Sequence, residues 1–224
     1  MQSALPTAAI GVPVQMPPEL LKPHPSALSL AKRLIDIVGG SIGLLVLALL
    51  FVPIAVAIKL DSPGPIFYSQ NRHGLMGSPF RIYKFRSMVH NADALKFRVK
   101  NQAKGLIFKN QNDPRVTRVG RFLRRTSLDE FPQFWNVLLG QMSLVGTRPP
   151  TSDEVSRYEA HHWKRLLVKP GITGEWQVHG RSRVNDFEDM VRLDLRYQAH
   201  WHPLYDLLLI FRTVYVVFAR EGAF

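Results

Sequence analysis

From Leu34 to Ile58 the chain is almost wholly apolar, with no charge between Ile37 and Ile58. As a helix rising 1.5 Å per residue, this stretch is long enough to cross a hydrocarbon core of roughly 30 Å. Its Leu, Ile, Val and Phe side chains, at roughly −0.3 to −0.6 kcal/mol each, favour insertion. Asp36 opposes this only weakly, because it lies at the edge where it can reach water. The rest of the chain is patterned differently. Ile66–Ser69 and Phe80–Phe85 read as short strands, and Gly74 and Gly77 between them predict a hairpin. Asn91–Lys104 is polar and predicts a helix, as does Ser152–Leu167. Val116–Arg125 has Val119, Phe122 and Leu123 on one face and arginines around them, an amphipathic helix. Glu175–Val178 reads as a short strand and Asp186–His200 as an amphipathic helix. Leu204–Phe218 is very apolar but holds Asp206 and Arg212; it is short for a span and suits an interfacial or core helix. Turns fall at Asp61–Pro65, Asn112–Pro114 and Lys169–Gly174.

The sum is an α+β protein, mainly helical, in three parts. Residues 1–29 are a proline-rich tail without the charged start or cleavage site of a signal peptide, expected to stay flexible and attached. Residues 30–60 form the membrane helix, and 61–224 the cytoplasmic catalytic domain with interfacial helices. No internal repeat is evident.

Composition narrows the partners. The 224 residues include no cysteine, which excludes disulfides and thiolate metal sites, and the formal charge is +12. Such an excess calls for a polyanion: nucleic acid, anionic headgroups or phosphorylated substrates. Zinc-finger, helix-turn-helix and aromatic-studded RNA-binding patterns are absent, so nucleic acid is the weaker reading. The arginines of Val116–Arg125 follow an insertable segment and suit anionic lipid headgroups. The cations also bear on topology. A straight crossing of the first helix puts Lys22, Lys32 and Arg33 outside, whereas a helix that enters, breaks at Pro53 and returns leaves every cation inside. Both topologies remain open on physical grounds.

The chemistry centres on Leu123–Pro150. Asp129 and Glu130 are adjacent carboxylates, with Arg124 five residues before and Arg148 at a turn beyond. Ser127-Leu128-Asp129-Glu130 also has the form of a capping box, and this alone would account for the acids; Pro132 competes by starting the helix later. Together with Lys84 and Arg86, the set matches the inventory of phosphoryl transfer. That chemistry uses carboxylates for Mg²⁺ or as nucleophile and cations for phosphate oxygens. The histidines, among them His161, His162, His179, His200 and His202, show no metal-ligand spacing and read as structural or solvated.

Five segments carry a resemblance: KRLIDI at Lys32, SPGPIFYSQNRHG at Ser62, FRIYKFRSM at Phe80, the long run from Asn112 to Pro150, and KPGITGEWQVHGRS at Lys169. Over Lys32 to Phe224 the chain resembles the bacterial sugar transferases, monotopic polyprenyl-phosphate phosphoglycosyl transferases. The resemblance implies transfer of a sugar 1-phosphate from a UDP-sugar to a polyprenyl (undecaprenyl) phosphate at the cytoplasmic membrane, releasing UMP. This is the first membrane step of exopolysaccharide, capsule or O-antigen synthesis. It implies Asp129 as the nucleophile of a phosphosugar-aspartyl intermediate, and Asp129 with Glu130 at Mg²⁺. It places Lys84 and Arg148 at phosphate, with Arg86 and Arg124 beside them and Arg181 and Arg183 toward the nucleotide. It also implies a re-entrant helix. The family's break is commonly a Ser-Pro pair near mid-helix, whereas Pro53 follows Val52 and sits late. Two other classes fit the same cations: a lipid-binding adaptor with no catalysis, and a metal-dependent phosphohydrolase.

Overall fold

The protein is described by a computed structural model covering residues 16, 17, 20, 22–179 and 184–219. Helix α1 (Pro25–Leu28) is followed by the long α2 (Leu30–Asp61), the hairpin strands β1 (Phe67–His73) and β2 (Pro79–Phe85), then α3 (Arg118–Arg125) and α4 (Gln133–Leu138). The chain continues with β3 (Ser143–Val145), α5 (Ser152–Val155), β4 (Gly171–Thr173), α6 (Glu175–Val178), α7 (Phe187–His200) and α8 (Pro203–Phe218). The mainly helical α+β class is as the sequence implies.

Helix α2 starts at Ser29, whose hydroxyl accepts the Lys32 N–H, and runs for 32 residues with Pro53 inside it. The expected helix-break-helix is therefore one helical element; a proline removes one hydrogen bond without ending the run. Its two ends are built into the domain by different means. Near the N-terminus, Gly39, Gly40 and Gly43 let α2 approach closely: a Cβ at Gly39 would stand 2.4 Å from Leu144, and one at Gly43 2.4 Å from the Phe134 ring. Toward the C-terminus, Ile54 and Ile58 pack on Phe85 and Leu123, and Phe51 stacks on Phe67 and Phe85.

Lys32 and Arg33, which flank the apolar stretch, are absorbed by the domain. Lys32 is 4% exposed; its Nζ donates to Asp206 Oδ2 of α8 at 2.7 Å, to the Tyr197 hydroxyl at 3.0 Å and to the Val145 carbonyl at 2.9 Å. Arg33 donates to the Val137 and Leu138 carbonyls at the C-terminus of α4, where a cation meets the negative end of a helix dipole. Asp36 accepts from Ser143 Oγ and the Leu144 N–H. The end of the expected tail also packs on the domain: the His24 N–H donates to the Leu167 carbonyl, and Ser26 is buried.

The hairpin is antiparallel, pairing Phe67 with Phe85 and Tyr68 with Lys84, and is longer than expected on the β1 side. Asn136 of α4 completes the β2 edge. Fully buried, its amide accepts the Tyr83 N–H and donates to the Arg81 carbonyl, as a neighbouring strand would. A second sheet, the parallel pair β3–β4, was not anticipated. It is packed so closely that a Cβ at Gly146 would lie 2.1 Å from the Lys169 carbonyl oxygen. The main core joins β2, α4, β3, α7 and α8 through Phe80, Ile82, Val137, Met142, Val145, Tyr197 and Leu209.

Three local expectations are corrected. Asn91–Lys104 forms turns with one short 3-10 segment, Lys96–Arg98, and the Asn101 side chain accepts the Ala103 and Lys109 N–H groups and donates to the Ile107 carbonyl in place of a helical ladder. Ser152–Leu167 divides into α5 and a 3-10 segment, Ala160–Leu167. Glu175–Val178 is a helical turn rather than a strand.

Asp206→Asn strips the buried Lys32 ammonium of its counter-charge. It should cost about 3–5 kcal/mol, read from thermal unfolding in detergent. The double variant Lys32→Met, Asp206→Leu should recover most of that loss; equal loss in single and double variants would refute the pair as the cause.

Candidate active site

Asp129 and Glu130 lie in a 3-10 turn, Leu128–Glu130, between α3 and β2. The capping box expected there does not form. Ser127 takes the left-handed conformation at φ 57°, with no capping bond from its side chain, and α4 starts only after Pro132. The left-handed residue reverses the chain after α3 and carries both acids inward, to 4% and 8% exposure. Lys84 reaches across from the end of β2 and donates to Glu130 Oε1 at 2.9 Å. Lysine and carboxylate are both partly shielded, so the pair is stronger than a surface ion pair.

Arg124 sits one turn before the acids. Its Nε donates to Ser87 Oγ at 2.8 Å, which joins the last turn of α3 to the chain leaving β2. Gly120 allows this contact, since a Cβ there would lie 2.0 Å from the Ser87 carbonyl oxygen. Val119 N–H is in turn accepted by Asp61, the last residue of α2.

Arg148 follows Gly146 and Thr147 at the exit of β3. Its Nη1 contacts both Glu154 oxygens at 2.9 and 3.0 Å. Glu154 is held by a capping box with Thr151: the Thr151 hydroxyl accepts the Glu154 N–H, and Glu154 Oε2 accepts the Thr151 N–H. Burial pushes the Glu154 carboxyl up, but the Arg148 charge and hydrogen bond outweigh it and hold the group below its ordinary range.

Arg72 is a cation that the sequence reading passed over. It donates to the Pro149 carbonyl at 2.9 Å and to Gln70 at 2.8 Å. Burial first, then the Arg148 charge, lowers its pKa to about 10, while Glu154 and Glu130 act the other way. Arg72 thus feels both the Glu130 carboxylate and the Arg148 guanidinium, and it links the two halves of the site. Tyr68, paired with Lys84 across the hairpin, donates to Asp93 at 3.1 Å; burial and Asp93 push it up to about 12. Position alone could have flagged Arg72, which stands in the segment SPGPIFYSQNRHG.

Arg86 is placed elsewhere. It is 5% exposed and donates to the Ile58, Ser62 and Pro63 carbonyls, closing the C-terminus of α2. It is thus engaged in capping α2 rather than turned to the acids. Arg181 and Arg183 lie outside the described residues. His161, His162 and Glu188 come within 4.8 Å of one another. His162 Nδ1 accepts the Glu159 N–H, so its Nε2 carries the proton donated to Glu188. A ring held in that tautomer has no lone pair left for a metal, and the group is structural.

Asp129 and Glu130 offer adjacent carboxylate oxygens and no nitrogen or sulfur, a donor set that suits a hard cation such as Mg²⁺.

Arg86→Met leaves the terminal carbonyls of α2 without their donor, and should lower stability by about 1–3 kcal/mol in thermal unfolding. An unchanged melting temperature would return Arg86 to the anion-binding set.

The bacterial sugar transferase family matches residues 27–220. The chain is 48% identical over 196 residues to the galactosyl transferase CpsE of Streptococcus agalactiae, covering 87% of this chain and 43% of that one. It is 42% identical over 202 residues to the UDP-glucose:undecaprenyl-phosphate glucose-1-phosphate transferase of Escherichia coli, covering 87% and 42%. It therefore spans about two fifths of the length of these relatives. Against the exopolysaccharide production protein ExoY of Rhizobium meliloti it is 37% identical over 201 residues, covering 87% of this chain and 88% of that one. The chain belongs to the bacterial sugar transferase family.

Proposed function

We propose that this protein transfers a sugar 1-phosphate from a UDP-sugar to a polyprenyl phosphate, as the initiating membrane step of exopolysaccharide, capsule or O-antigen assembly. The observation that carries the reading is the inward-turned Asp129–Glu130 pair, gripped by Lys84 and bordered by Arg124, on a chain whose relative is named for UDP-glucose and undecaprenyl phosphate.

The residues divide the work as follows. The Asp129 carboxylate attacks the phosphorus that carries the sugar. The bond from that phosphorus to the bridging oxygen breaks, and UMP leaves with the oxygen. A polyprenyl phosphate oxygen then attacks the same phosphorus and expels Asp129, giving the polyprenyl diphosphate sugar. Lys84 fixes the Glu130 rotamer and lowers the cost of two adjacent acids. Arg72 and Arg148 supply positive charge for the diphosphate, with Arg124 nearer the nucleophile. Glu130 and Asp129 are the residues that would hold Mg²⁺, which when bound offsets phosphate charge.

The same reading sets the protein on the cytoplasmic face, with α2 sunk into the membrane from that side. Leu34, Val38, Ile42, Leu45, Leu49, Val52, Val56 and Leu60 recur at three- and four-residue steps and are all exposed, an apolar ridge facing away from the domain. The opposite face touches the domain from Lys32 to Ile58. A straight crossing would carry the elements bonded to Lys32 and Arg33 to the far side, against the charge of the chain. A helix that lies in one face of the membrane without crossing it keeps both ends with the domain, as the contacts at Lys32 and Ile58 require. Exposed Trp135, Leu139, Leu204 and Phe211 extend the apolar surface over α4 and α8.

Asp129→Asn should reduce UMP release by roughly 10⁴ or more. Intact-protein mass spectrometry with UDP-sugars should find a sugar-phosphate adduct on the wild type and none on the variant. Near-normal turnover by the variant removes Asp129 from the nucleophile's role. For topology, the natural lack of cysteine permits a single Ser3→Cys probe. An impermeant maleimide should label it only in opened cells, and labelling of intact cells would establish a straight span.

A further inference from the structure

Lys169 stands on the turn before β4, and the chemistry above does not use it. Its half-buried ammonium makes no hydrogen bond or ion pair among the described residues. Burial first, then the Arg33 charge, holds its pKa below the ordinary range; Asp36 acts against them and Lys32 with them.

Lys169 and Arg33 converge on one spot. A Cβ built on Gly140 would lie 3.8 Å from Lys169 Nζ, 3.8 Å from Arg33 Nη1 and 3.8 Å from Arg33 Cζ. The two cations thus stand within twice that distance of each other, over a glycine at φ 77°. A phosphate whose oxygens each accept a charge-assisted bond at about 2.8 Å bridges such a gap. Arg33 gives one N–H from each Nη to the Val137 and Leu138 carbonyls, which leaves further donors of its guanidinium for a ligand. The neighbouring acids are committed: Asp206 is paired with Lys32, and Asp36 accepts from Ser143 and Leu144. Lys32, Arg33 and Lys169 outnumber Asp36 and Asp206, and an anion over Gly140 neutralises the excess.

The surroundings select the kind of anion. Arg33 shares a face of α2 with Leu30 and Ile37, both exposed, and Leu34 beside it opens the apolar ridge. Leu139, next to Gly140, is 53% exposed. Cations rimmed by exposed apolar side chains match the headgroup level of a bilayer. The spot lies at the end of α2 opposite Asp61, which is the end bonded to α3, so it is separate from the proposed transfer centre.

We propose that Arg33, Lys169 and the Gly140 turn form a binding site for the phosphodiester of an anionic membrane phospholipid, which holds the start of α2 at the headgroup level. The proposal goes beyond sugar-phosphate transfer and rests only on the placement of α2 against the membrane given with that reading.

The test is lipid binding without donor or acceptor, so its outcome does not depend on the transfer. The full-length protein in neutral detergent is titrated with dihexanoyl phosphatidylglycerol, dihexanoyl phosphatidylcholine and inorganic phosphate, and affinity is read from the shift in thermal unfolding. Wild type should prefer phosphatidylglycerol to phosphatidylcholine about five-fold or more. Lys169→Met should lose about five-fold in phosphatidylglycerol affinity, the effect of one basic residue at an anionic surface, and Lys169→Arg should restore it. Lys100→Met, at an exposed lysine on the turns before α3, should bind as wild type does. Without lipid, Lys169→Met should melt no lower than wild type, because it removes no bond of the fold. Absence of the phosphatidylglycerol preference, unchanged affinity in Lys169→Met, an equal loss in Lys100→Met, or a lower lipid-free melting temperature in Lys169→Met overturns the proposal. Inorganic phosphate bound as tightly as phosphatidylglycerol assigns the spot to a soluble anion and overturns the lipid assignment. Labelling of Ser3→Cys, described above, tests the placement of α2 by itself, so the two failures are told apart.

Discussion

Everything in this molecule hangs on how a 32-residue apolar helix is kept on a polar domain, and the decisive contact is the buried pair of Lys32 and Asp206. Removing an ammonium and a carboxylate from water costs several kcal/mol per ion, so such a pair persists only where hydrogen bonds complete it. Here they do. Lys32 spends three donors on Asp206, Tyr197 and Val145, and Asp206 accepts further from Tyr197 and Trp201. The cluster ties α2 to β3, α7 and α8 at one point. With Arg33 on α4 and Asp36 on β3, it makes the start of the helix part of the domain core.

The large positive charge is not one pool. Several cations neutralise structure: Arg33 and Arg86 close helix C-termini, Arg115 pairs with buried Asp113, and Arg165 with buried Asp194. A second set, Lys84, Arg72, Arg124 and Arg148, surrounds the acids or the turn beyond them. A third, Arg118, Arg121 and Arg125, stays exposed on α3. Net charge alone pointed to an anionic partner, and the bonds each cation makes separate those that hold the fold from those placed near the acids.

This division marks the limit of what the sequence discloses. The apolar periods of α2, α7 and α8 and the glycine-punctuated hairpin were legible because each is a local pattern with one dominant cause. Lys84 and Arg86 look equivalent in the sequence, two residues apart; only the position of the α2 terminus decides that Arg86 turns to its carbonyls. The β3–β4 pair has three residues per strand and joins segments far apart in the chain, so neither strand carries a signal of its own. At the acids, a Ser-x-x-Glu spacing suggested a cap where Ser127 instead reverses the chain. The box that does form is Thr151 with Glu154, and there it positions Arg148. Local rules identified the device and assigned it to the wrong turn, because the left-handed Ser127 and the contact of Glu130 with Lys84 are tertiary features that a four-residue spacing does not carry.

The geometry also explains why the acids sit near the end of the apolar helix. Asp61 ends α2 and accepts the Val119 N–H in the first turn of α3, where a carboxylate complements the helix dipole. Later in the same helix Arg124 binds Ser87, and the left-handed Ser127 then drops Asp129 and Glu130 beside Lys84. From the other direction Arg86, next but one to Lys84, caps the same end of α2. Two short paths, each begun by a hydrogen bond, thus leave one helix terminus and meet at the acids, which fixes their distance from the apolar ridge without any long lever. A site built this way takes its depth from α2, so that a change in how α2 sits would move the carboxylates with it. That is the arrangement the proposed transfer requires, with one substrate soluble and the other held at a lipid surface.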